Sequence, residues 1–316
     1  MNSSFAPHSV EPLLRAPEPA QAVHELTLAS DLSELTKARL TVMVLLTTLA
    51  GYCLANVGAF DWIKLGHTLL GTALVAICSS ILNQALERDT DALMRRTQVR
   101  PFVTGRLPLV QTILVGLGLG ALGLAELAIF VNGIATLLSA LTLVIYVFVY
   151  TPLKRRSEIN TLVGAIPGAL PPLIGATAAL GHFDVVGWTL LAILTMWQLP
   201  HFYAIAWMYK DDYRGAGLRM VSTHDPDGRR TGIHAVVSAV ILLPVSLLPS
   251  IIGHSGIFYA VVAATLSLLF IAAAIRFARH ADRPHARTLF LTSIIWLPLI
   301  LTSLALDIPI RNYLGW

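Results

Sequence analysis

Charged side chains are scarce in this chain of 316 residues, where Asp, Glu, Lys and Arg together make up only 13%. An average soluble domain has about 25%. Hydrophobic residues account for 55% of the chain, and the mean hydropathy is +0.71. This composition excludes an ordinary soluble globular protein and predicts a multi-pass protein of the lipid bilayer. No nucleic-acid partner is expected.

Cysteine is also rare. Cys53 and Cys78 both lie in apolar runs, so the sequence offers neither a disulfide framework nor a CxxC metal site. The first 30 residues are polar and contain prolines, and they lack the basic start and short apolar core of a secretory signal peptide. We expect residues 1–30 to form a disordered cytoplasmic tail and residues 31–316 to form one transmembrane domain.

Apolar runs long enough to cross a bilayer recur nine times after this tail. They lie near residues 40–59, 66–86, 109–130, 133–151, 161–181, 186–208, 232–252, 256–277 and 288–307. Cytoplasmic loops retain Lys and Arg. With the N-terminus in the cytoplasm, all of the 22 Lys and Arg residues except Lys64 and Arg311 fall on the cytoplasmic side. The predicted fold is an all-α bundle of about nine transmembrane helices, with its C-terminus outside.

The most informative stretch runs from Leu82 to Leu107, at the cytoplasmic end of the second apolar run. Asn83, Glu87 and Asp91 are spaced i, i+4 and i+8, so a helix places all three on one face. Their oxygens suit Mg²⁺, which is usually bound through one or two carboxylates plus substrate phosphates. Five arginines follow. They could bind a metal-bridged diphosphate, or they could serve only to anchor the helix at the membrane surface. These are Arg88, Arg95, Arg96, Arg100 and Arg106.

A second polar stretch, Trp197 to Met220, closes the sixth apolar run on the same side of the membrane. His201 lies inside that run, and an ionisable side chain at membrane depth is costly unless it faces the bundle interior or a wet cavity. We expect His201 to point inward, and a structural interior histidine is the simpler alternative to a functional one. Three charged residues follow near the membrane surface: Lys210, Asp211 and Asp212. Either they belong to a solvated loop, or they complete a binding site for diphosphate.

These stretches resemble those of the UbiA-type intramembrane prenyltransferase superfamily, and in particular its heme-farnesylating members. The first is similar to the signature NxxxDxDxDxxMxRTxxRP, with Glu87 where the family usually has Asp. The matching residues are Asn83, Asp89, Asp91, Met94, Arg96, Thr97, Arg100, Pro101 and Gly105. The segments YTPLKRRSEIN (150–160), GALPPLIG (168–175), WQLPHFYA (197–204) and KDDYRGAG (210–217) are also similar, whereas TKAR (36–39) has alanine in place of proline. The resemblance covers about residues 31–307.

The resemblance implies a central cavity open to the cytoplasm and a location in a bacterial inner membrane. It implies transfer of the farnesyl group of farnesyl diphosphate to a vinyl carbon of heme b, with addition of water and release of diphosphate, to give heme O. Heme O serves terminal oxidases directly or as a precursor of heme A, so a heme A synthase or a terminal oxidase is a candidate assembly partner.

The chemistry of this reaction suggests a role for each candidate residue. Breaking the allylic carbon–oxygen bond leaves negative charge on the diphosphate, and Mg²⁺ with Arg and Lys donors stabilises that charge. We assign Mg²⁺ binding to Asn83, Glu87 and Asp91. Asp89 is a further candidate, but on a continuous helix its side chain would point to another face. The diphosphate candidates are Arg96, Arg100, Lys154, Arg155 and Lys210.

The second polar stretch supplies the remaining candidates. Asp211 and Asp212 would position a second metal or hold Lys210, and these three complete the predicted catalytic set. His201 is the candidate for heme contact, either as axial ligand or as propionate partner. We expect small residues to let the helices approach closely, namely Gly116, Gly120, Gly164, Gly168 and Gly175.

Three other interpretations remain open. A UbiA-type enzyme acting on an aromatic or quinone precursor would share the first stretch but carry a second Asp-rich motif in place of the one containing His201. A transporter would usually show internal repeats between its halves, and none is convincing here. A non-catalytic heme-handling membrane protein would explain His201 but not the acidic face formed by Asn83, Glu87 and Asp91.

Overall fold

A computed structural model describes residues 27–56 and 59–314. Nine helices in these two segments are long and apolar enough to cross a membrane, which confirms the nine predicted runs. We number them α1 (Ala38–Ala55), α2 (Trp62–Asp91), α3 (Leu109–Phe130), α4 (Gly133–Leu153), α5 (Asn160–Leu180), α6 (Val185–Met208), α7 (Arg229–Ile251), α8 (Ile257–His280) and α9 (Arg283–Leu314).

Short helices occupy several of the connecting segments. They are Leu28–Leu35, Pro101–Thr104, Lys210–Gly215 and the 3₁₀ turn Val221–His224. Most of the predicted tail, residues 1–26, lies outside the described residues, and its last three residues belong to the helix Leu28–Leu35. The described part of the chain contains no β-strand, as the all-α prediction requires.

Helix α2 extends beyond the predicted run at both ends. At its start the side chain of Asp61 accepts a hydrogen bond from the backbone N–H of Lys64 at 2.9 Å, which caps the first turn. At its other end, the hydroxyl of Thr97 donates to the carbonyl of Asp91 at 2.9 Å. Because the helix is uninterrupted as far as Asp91, the side chains of Asn83, Glu87 and Asp91 share one face.

The helices pack in two groups. In the first group α2 packs along α3, α1 packs along α5, and α4 lies against α5; in the second, α6 contacts α7 and α9, and α8 lies between α7 and α9. The contact between α5 and α6 joins the groups. Successive helices alternate in direction, so α2, α4, α6 and α8 all finish at one end of the bundle. We call this the polar end.

Small residues set the closest helix contacts, as the sequence predicts. A Cβ atom on Gly175 of α5 would overlap the carbonyl of Thr48 in α1, and one on Gly120 of α3 would clash with Cys78 of α2. Backbones can approach this closely only where one side chain is absent. A Cβ atom would also meet a neighbouring side chain at Gly116, Gly164 and Gly168.

Candidate functional site

A cavity of about 130 Å³ opens at the polar end of the bundle. Its walls come from α2, from the loop after α2, from the residue before the start of α1, from the end of α4, and from the segment that follows α6. Six of its lining residues carry a formal charge, and both polar stretches predicted from the sequence contribute to its wall. The charged residues are Lys37, Glu87, Asp91, Arg96, Arg100 and Lys154.

The carboxylate of Asp91 is buried in this cavity wall, with only 1% of the residue exposed. Nη1 of Arg100 donates to Oδ2 at 2.5 Å, and Nε of the same guanidinium lies 3.5 Å from the carboxylate of Glu34. The other carboxylate oxygen, Oδ1, is enclosed and has no hydrogen-bond partner in the described part of the chain. A buried acceptor of this kind is costly to leave unpaired, so Asp91 offers a ligand one unused oxygen.

Glu87, one turn before Asp91, pairs with a lysine at the end of α4. Nζ of Lys154 donates to Oε1 of Glu87 at 2.7 Å and lies 4.6 Å from the ring centroid of Tyr150. Burial disfavours the ammonium form of Lys154, but the negative charge of Glu87 outweighs that penalty and raises the pKa of the lysine above its ordinary value. Lys154 therefore presents a permanent positive charge at the cavity wall.

Asn83 lies one turn deeper and is fully buried. Its amide nitrogen donates to the hydroxyl of Thr151 at 2.9 Å, and its amide oxygen accepts from Nζ of Lys37 at 2.5 Å. Lys37 also donates to the phenol oxygen of Tyr146 at 3.0 Å. Asn83 therefore orients Lys37, and it does not itself line the cavity.

Two local backbone features place these partners. Lys37 has a φ of 47° immediately before α1, a left-handed conformation that is uncommon for residues other than glycine. In α4, residues Ile145–Tyr150 form a π-helical turn, and the hydroxyl of Thr151 donates to the carbonyl of Tyr146 at 2.8 Å. Such turns are often found at functional sites, and here the turn brings Tyr146 to Lys37 and Tyr150 to Lys154.

Positive charge is in excess in the cavity wall. Lys154 and Arg100 are each paired with one of the two lining carboxylates. Lys37 bonds only neutral groups, and the guanidinium of Arg96 lies 5.0 Å from the ring centroid of Tyr209. Neither has a carboxylate within ion-pair distance among the described residues. Two uncompensated cations in a partly enclosed cavity favour binding of a multiply charged anion.

Several predicted site residues lie elsewhere. Asp89 is exposed on another face of α2, and Arg155 is exposed beside Lys154. Nζ of Lys210 donates to the carbonyl of Asp225 at 2.6 Å, and the carboxylate of Asp211 is 86% exposed. None of these four lines the cavity, and their predicted roles stay predictions.

The position of Lys210 has a local cause. Asp225, whose side chain accepts bonds from the N–H and the hydroxyl of Thr231 at 2.7 Å, stabilises the start of α7. Burial raises the pKa of Asp225, but these bonds outweigh it and lower that pKa below its usual range. Since Lys210 bonds the carbonyl of the same residue, it ties the end of α6 to the loop before α7.

Asp212 links the two polar stretches. Its carboxylate is 17% exposed and lies 3.3 Å from Nε of Arg95 in the loop after α2. Arg95 itself is 85% exposed, so the pair is solvated and contributes little to stability. The pair marks the point where the loop after α2 meets the segment after α6.

His201 lies in α6 and faces α9. Its Nδ1 atom is 2.7 Å from the hydroxyl of Ser293, and its ring stacks on that of Trp197 with centroids 5.2 Å apart. His201 is partly buried and does not line the charged cavity. It therefore lies in a second environment, aromatic rather than charged.

The described residues contain no cluster of three His, Cys, Asp or Glu side chains able to hold a metal ion by themselves. Mg²⁺ is commonly bound by only one or two carboxylates together with substrate phosphates. Oδ1 of Asp91, buried and unpaired, with the carboxylate of Glu87 one turn away, meets this smaller requirement. The donor set therefore fits an ion that a diphosphate would share.

Several residues of the cavity wall were not predicted from the sequence as site residues, and three of them carry polar groups that can contact a bound anion. Lys37, Tyr150 and Tyr213 all line the cavity, and burial raises the pKa of Tyr213, which keeps its phenol protonated. Each of these residues lies in a segment that resembles the family: TKAR, YTPLKRRSEIN or KDDYRGAG. The signal was present, but it did not separate cavity-lining residues from their neighbours.

The sequence of the chain is similar to those of named prenyltransferases. The family model described as the UbiA prenyltransferase family matches residues 44–297. A protoheme IX farnesyltransferase from Solibacter usitatus is 43% identical over 288 residues, covering 88% of this chain and 99% of that protein. Another from Koribacter versatilis is 39% identical over 310 residues, covering 95% of this chain and 98% of that protein.

Structural comparison gives the same fold. A digeranylgeranylglyceryl phosphate synthase superposes with a TM-score of 0.75 at 16% identity, covering 88% of this chain and 98% of that one. A UbiA homologue from Archaeoglobus fulgidus, bound to DMAPP and Mg²⁺, superposes with a TM-score of 0.64 at 16% identity, covering 87% and 99%.

Proposed function

The chain belongs to the UbiA prenyltransferase family, and we propose that it is an enzyme that transfers the farnesyl group of farnesyl diphosphate to a vinyl group of heme b, giving heme O. The observation that carries this proposal is the similarity to protoheme IX farnesyltransferases, at 43% and 39% identity over nearly the whole length of both relatives. The fold alone would not distinguish a heme acceptor from an aromatic or quinone acceptor.

The cavity at the polar end supports the donor half of the reaction. A diphosphate carries several negative charges, and the uncompensated cations Lys37 and Arg96 stand beside the paired cations Arg100 and Lys154. Because Lys154 stays protonated and Arg100 is permanently charged, this wall remains positive at any physiological pH. We propose that these four side chains hold the diphosphate.

Glu87 and Asp91 are the proposed metal residues, with Oδ1 of Asp91 as the atom left free for an ion. Bound there, Mg²⁺ would neutralise part of the diphosphate charge. Asn83, a metal ligand in the prediction from the sequence, would instead act through Lys37, because its amide oxygen already accepts from that ammonium. This indirect role is the one its buried position supports.

The proposed reaction has three steps, in which atoms and electrons balance. The bond between C1 of farnesyl and the diphosphate oxygen breaks, and its electron pair leaves with diphosphate. The π electrons of the heme vinyl group form a carbon–carbon bond to C1. Water then adds to the cationic carbon beside the porphyrin and loses a proton, which leaves a hydroxyl group. The cations of the cavity wall stabilise the charge that develops on the leaving diphosphate.

We further propose that the polar end faces the cytoplasm of a bacterium and that the protein lies in the inner membrane. The distribution of Lys and Arg supports this orientation, since the loops that carry them meet at the polar end. A heme A synthase or a terminal oxidase stays a candidate partner.

The test of the proposed function is the pigment content of membranes. Cells that lack other enzymes of this kind should contain heme b alone without the protein and both heme b and heme O with it. Extracted hemes would be separated against heme b and heme O standards. Membranes that contain the folded protein and yield no heme O would contradict the proposal.

A further inference from the structure

The interface between α6 and α9 holds a cluster of aromatic side chains around one serine. We define this aromatic cluster as Trp197, His201 and Phe202 of α6 with Phe290 and Ser293 of α9. The ring of His201 lies 5.2 Å from that of Trp197, 5.8 Å from that of Phe202 and 4.9 Å from that of Phe290, centroid to centroid. The indole N–H of Trp197 donates to the carbonyl of Ser293 at 2.8 Å.

The hydroxyl of Ser293 has two polar neighbours but only one hydrogen. It lies 2.5 Å from the carbonyl of Phe290 and 2.7 Å from Nδ1 of His201. A carbonyl oxygen can only accept, so the hydroxyl must donate its hydrogen to Phe290. The contact with His201 is then possible only if Nδ1 carries a proton and donates it to the serine oxygen.

The tautomer of His201 follows from this. In a neutral imidazole only one nitrogen carries hydrogen, so a proton on Nδ1 leaves Nε2 with a free lone pair. Nε2 has no hydrogen-bond partner among the described residues. It is also not fully enclosed, unlike the buried, unpaired Oδ1 of Asp91. An accessible Nε2 lone pair can bind a metal or accept a proton, but it cannot donate to a carboxylate.

We propose that Ser293 is a positioning residue that holds His201 in its Nδ1–H tautomer, so that Nε2 is presented to the iron of the heme substrate. This inference rests on the proposed function, and it assigns the axial-ligand role rather than the propionate role to His201. A histidine that binds a metal almost always donates its other ring N–H to an oxygen atom, which fixes tautomer and ring orientation. Ser293 supplies that oxygen.

The depth of His201 suits this role. It lies seven residues before the end of α6 at Met208, which corresponds to about 10 Å along the helix axis. Asn83 lies eight residues before the end of α2 at Asp91, at a similar depth. Iron bound at His201 would therefore lie at about the depth of Asn83, below the charged residues of the cavity wall.

The test compares two probes on purified protein. Ferric heme and iron-free protoporphyrin IX share the ring and both propionates, and only the former can be ligated. Ser293→Ala should lower the affinity for ferric heme by roughly 10- to 100-fold, the usual effect of losing such a partner, and should shift the optical spectrum away from that of a histidine-ligated heme. Its affinity for protoporphyrin IX should stay near the wild-type value.

The chain offers a matched control on the same helix. Ser303 also donates to the carbonyl three residues before it, at 2.9 Å to Ile300, but makes no hydrogen bond to a histidine among the described residues. Ser303→Ala should leave both affinities and the spectrum unchanged, and Ser293→Thr, which keeps a hydroxyl, should retain the wild-type spectrum. In a His201→Ala background, Ser293→Ala should have no further effect on heme affinity, because both changes remove the same ligand.

Two results would overturn the assignment: a wild-type spectrum and heme affinity in Ser293→Ala, or an equal loss of affinity for both probes, which indicates a packing role. The proposed function is judged separately by formation of heme O by the wild-type protein. A wild-type protein that makes heme O while Ser293→Ala shows either of those results keeps the function and removes the positioning role.

Discussion

The guanidinium of Arg100 holds the carboxylate of Asp91 by only one of its two oxygens. Nη1 lies 2.5 Å from Oδ2, whereas Oδ1 is buried without a partner among the described residues. Leaving a buried acceptor unpaired costs about 1–3 kcal/mol, so this arrangement is explained best by a ligand that binds there. Binding of Mg²⁺ and farnesyl diphosphate should therefore depend more on Asp91 than on any other acidic residue.

Asp91→Asn tests this dependence with almost no change of shape. It removes the negative charge and places an amide where a cation would bind, so we expect turnover to fall by at least about 100-fold. Product formation would be measured at matched folded fraction. Asp227→Asn, an exposed change in the loop before α7, is the control and should retain turnover. Undiminished turnover in Asp91→Asn would remove this carboxylate from the mechanism.

The pair between Glu87 and Lys154 predicts a pH effect. The carboxylate raises the pKa of Lys154, whereas burial alone would lower it. In Glu87→Gln the strongest opposition to the effect of burial is lost, so the pKa of Lys154 falls, and the lysine loses its proton as the pH rises through a lower value than in the wild type. Affinity for farnesyl diphosphate, measured calorimetrically between about pH 7 and pH 10, should then decline at lower pH than in the wild type.

Glu87→Asp is the matched control for that measurement. It keeps the negative charge beside Lys154 and restores the residue that the resembled family usually has. We expect it to retain substantial turnover and a pH profile close to that of the wild type. A profile for Glu87→Gln that coincides with the wild-type one would show that this pair does not govern diphosphate binding.

The contact between α4 and α5 predicts a defect caused by a single methyl group. A Cβ atom on Gly164 would lie 2.5 Å from Cε2 of Tyr150, the ring beneath Lys154. Overpacking of this kind costs about 1–3 kcal/mol, so Gly164→Ala should lower the Tm and weaken farnesyl diphosphate binding. Gly118→Ala, in α3 with no atom within 4 Å of the new Cβ, should change neither. Equal behaviour of the two variants would contradict this account.

The orientation of the bundle can be tested with reporter fusions. Nearly all Lys and Arg residues in the described part of the chain lie at the polar end, which should face the cytoplasm. A reporter active only in the cytoplasm should work when fused after Arg156 or Arg230 and should fail when fused at the C-terminus, because nine spans place the chain ends on opposite sides. An active C-terminal fusion would contradict the nine-span topology.

The sequence predicted the features that depend on local pattern. Run length and hydropathy identified the nine spans, and the spacing of Asn83, Glu87 and Asp91 placed them on one face because a helix has a fixed period. The family resemblance predicted the enzyme class and the fold. The structure confirms the spans and the shared face, and the comparisons confirm the family.

The contacts between helices distant in the chain could not be read from local pattern. Lys37 reaches Asn83 from a segment 46 residues earlier, and only the packing of α1 beside α2 brings them together. Conversely, Lys210 lies at the predicted end of α6, but the carbonyl of Asp225 binds its ammonium. Arg155 follows Lys154 directly and yet is exposed, since adjacent residues point in different directions.

The identity of the acceptor is tested most directly by a competition between two acceptors on purified protein. Farnesyl diphosphate and Mg²⁺ would be supplied with heme b and 4-hydroxybenzoate together, and the products would be identified by chromatography and mass spectrometry. The proposed function predicts that heme b is the only one of the two acceptors to be consumed, that its product carries one farnesyl group and one added water, and that one diphosphate is released for each product formed. Farnesylation of 4-hydroxybenzoate with heme b recovered unchanged would contradict it.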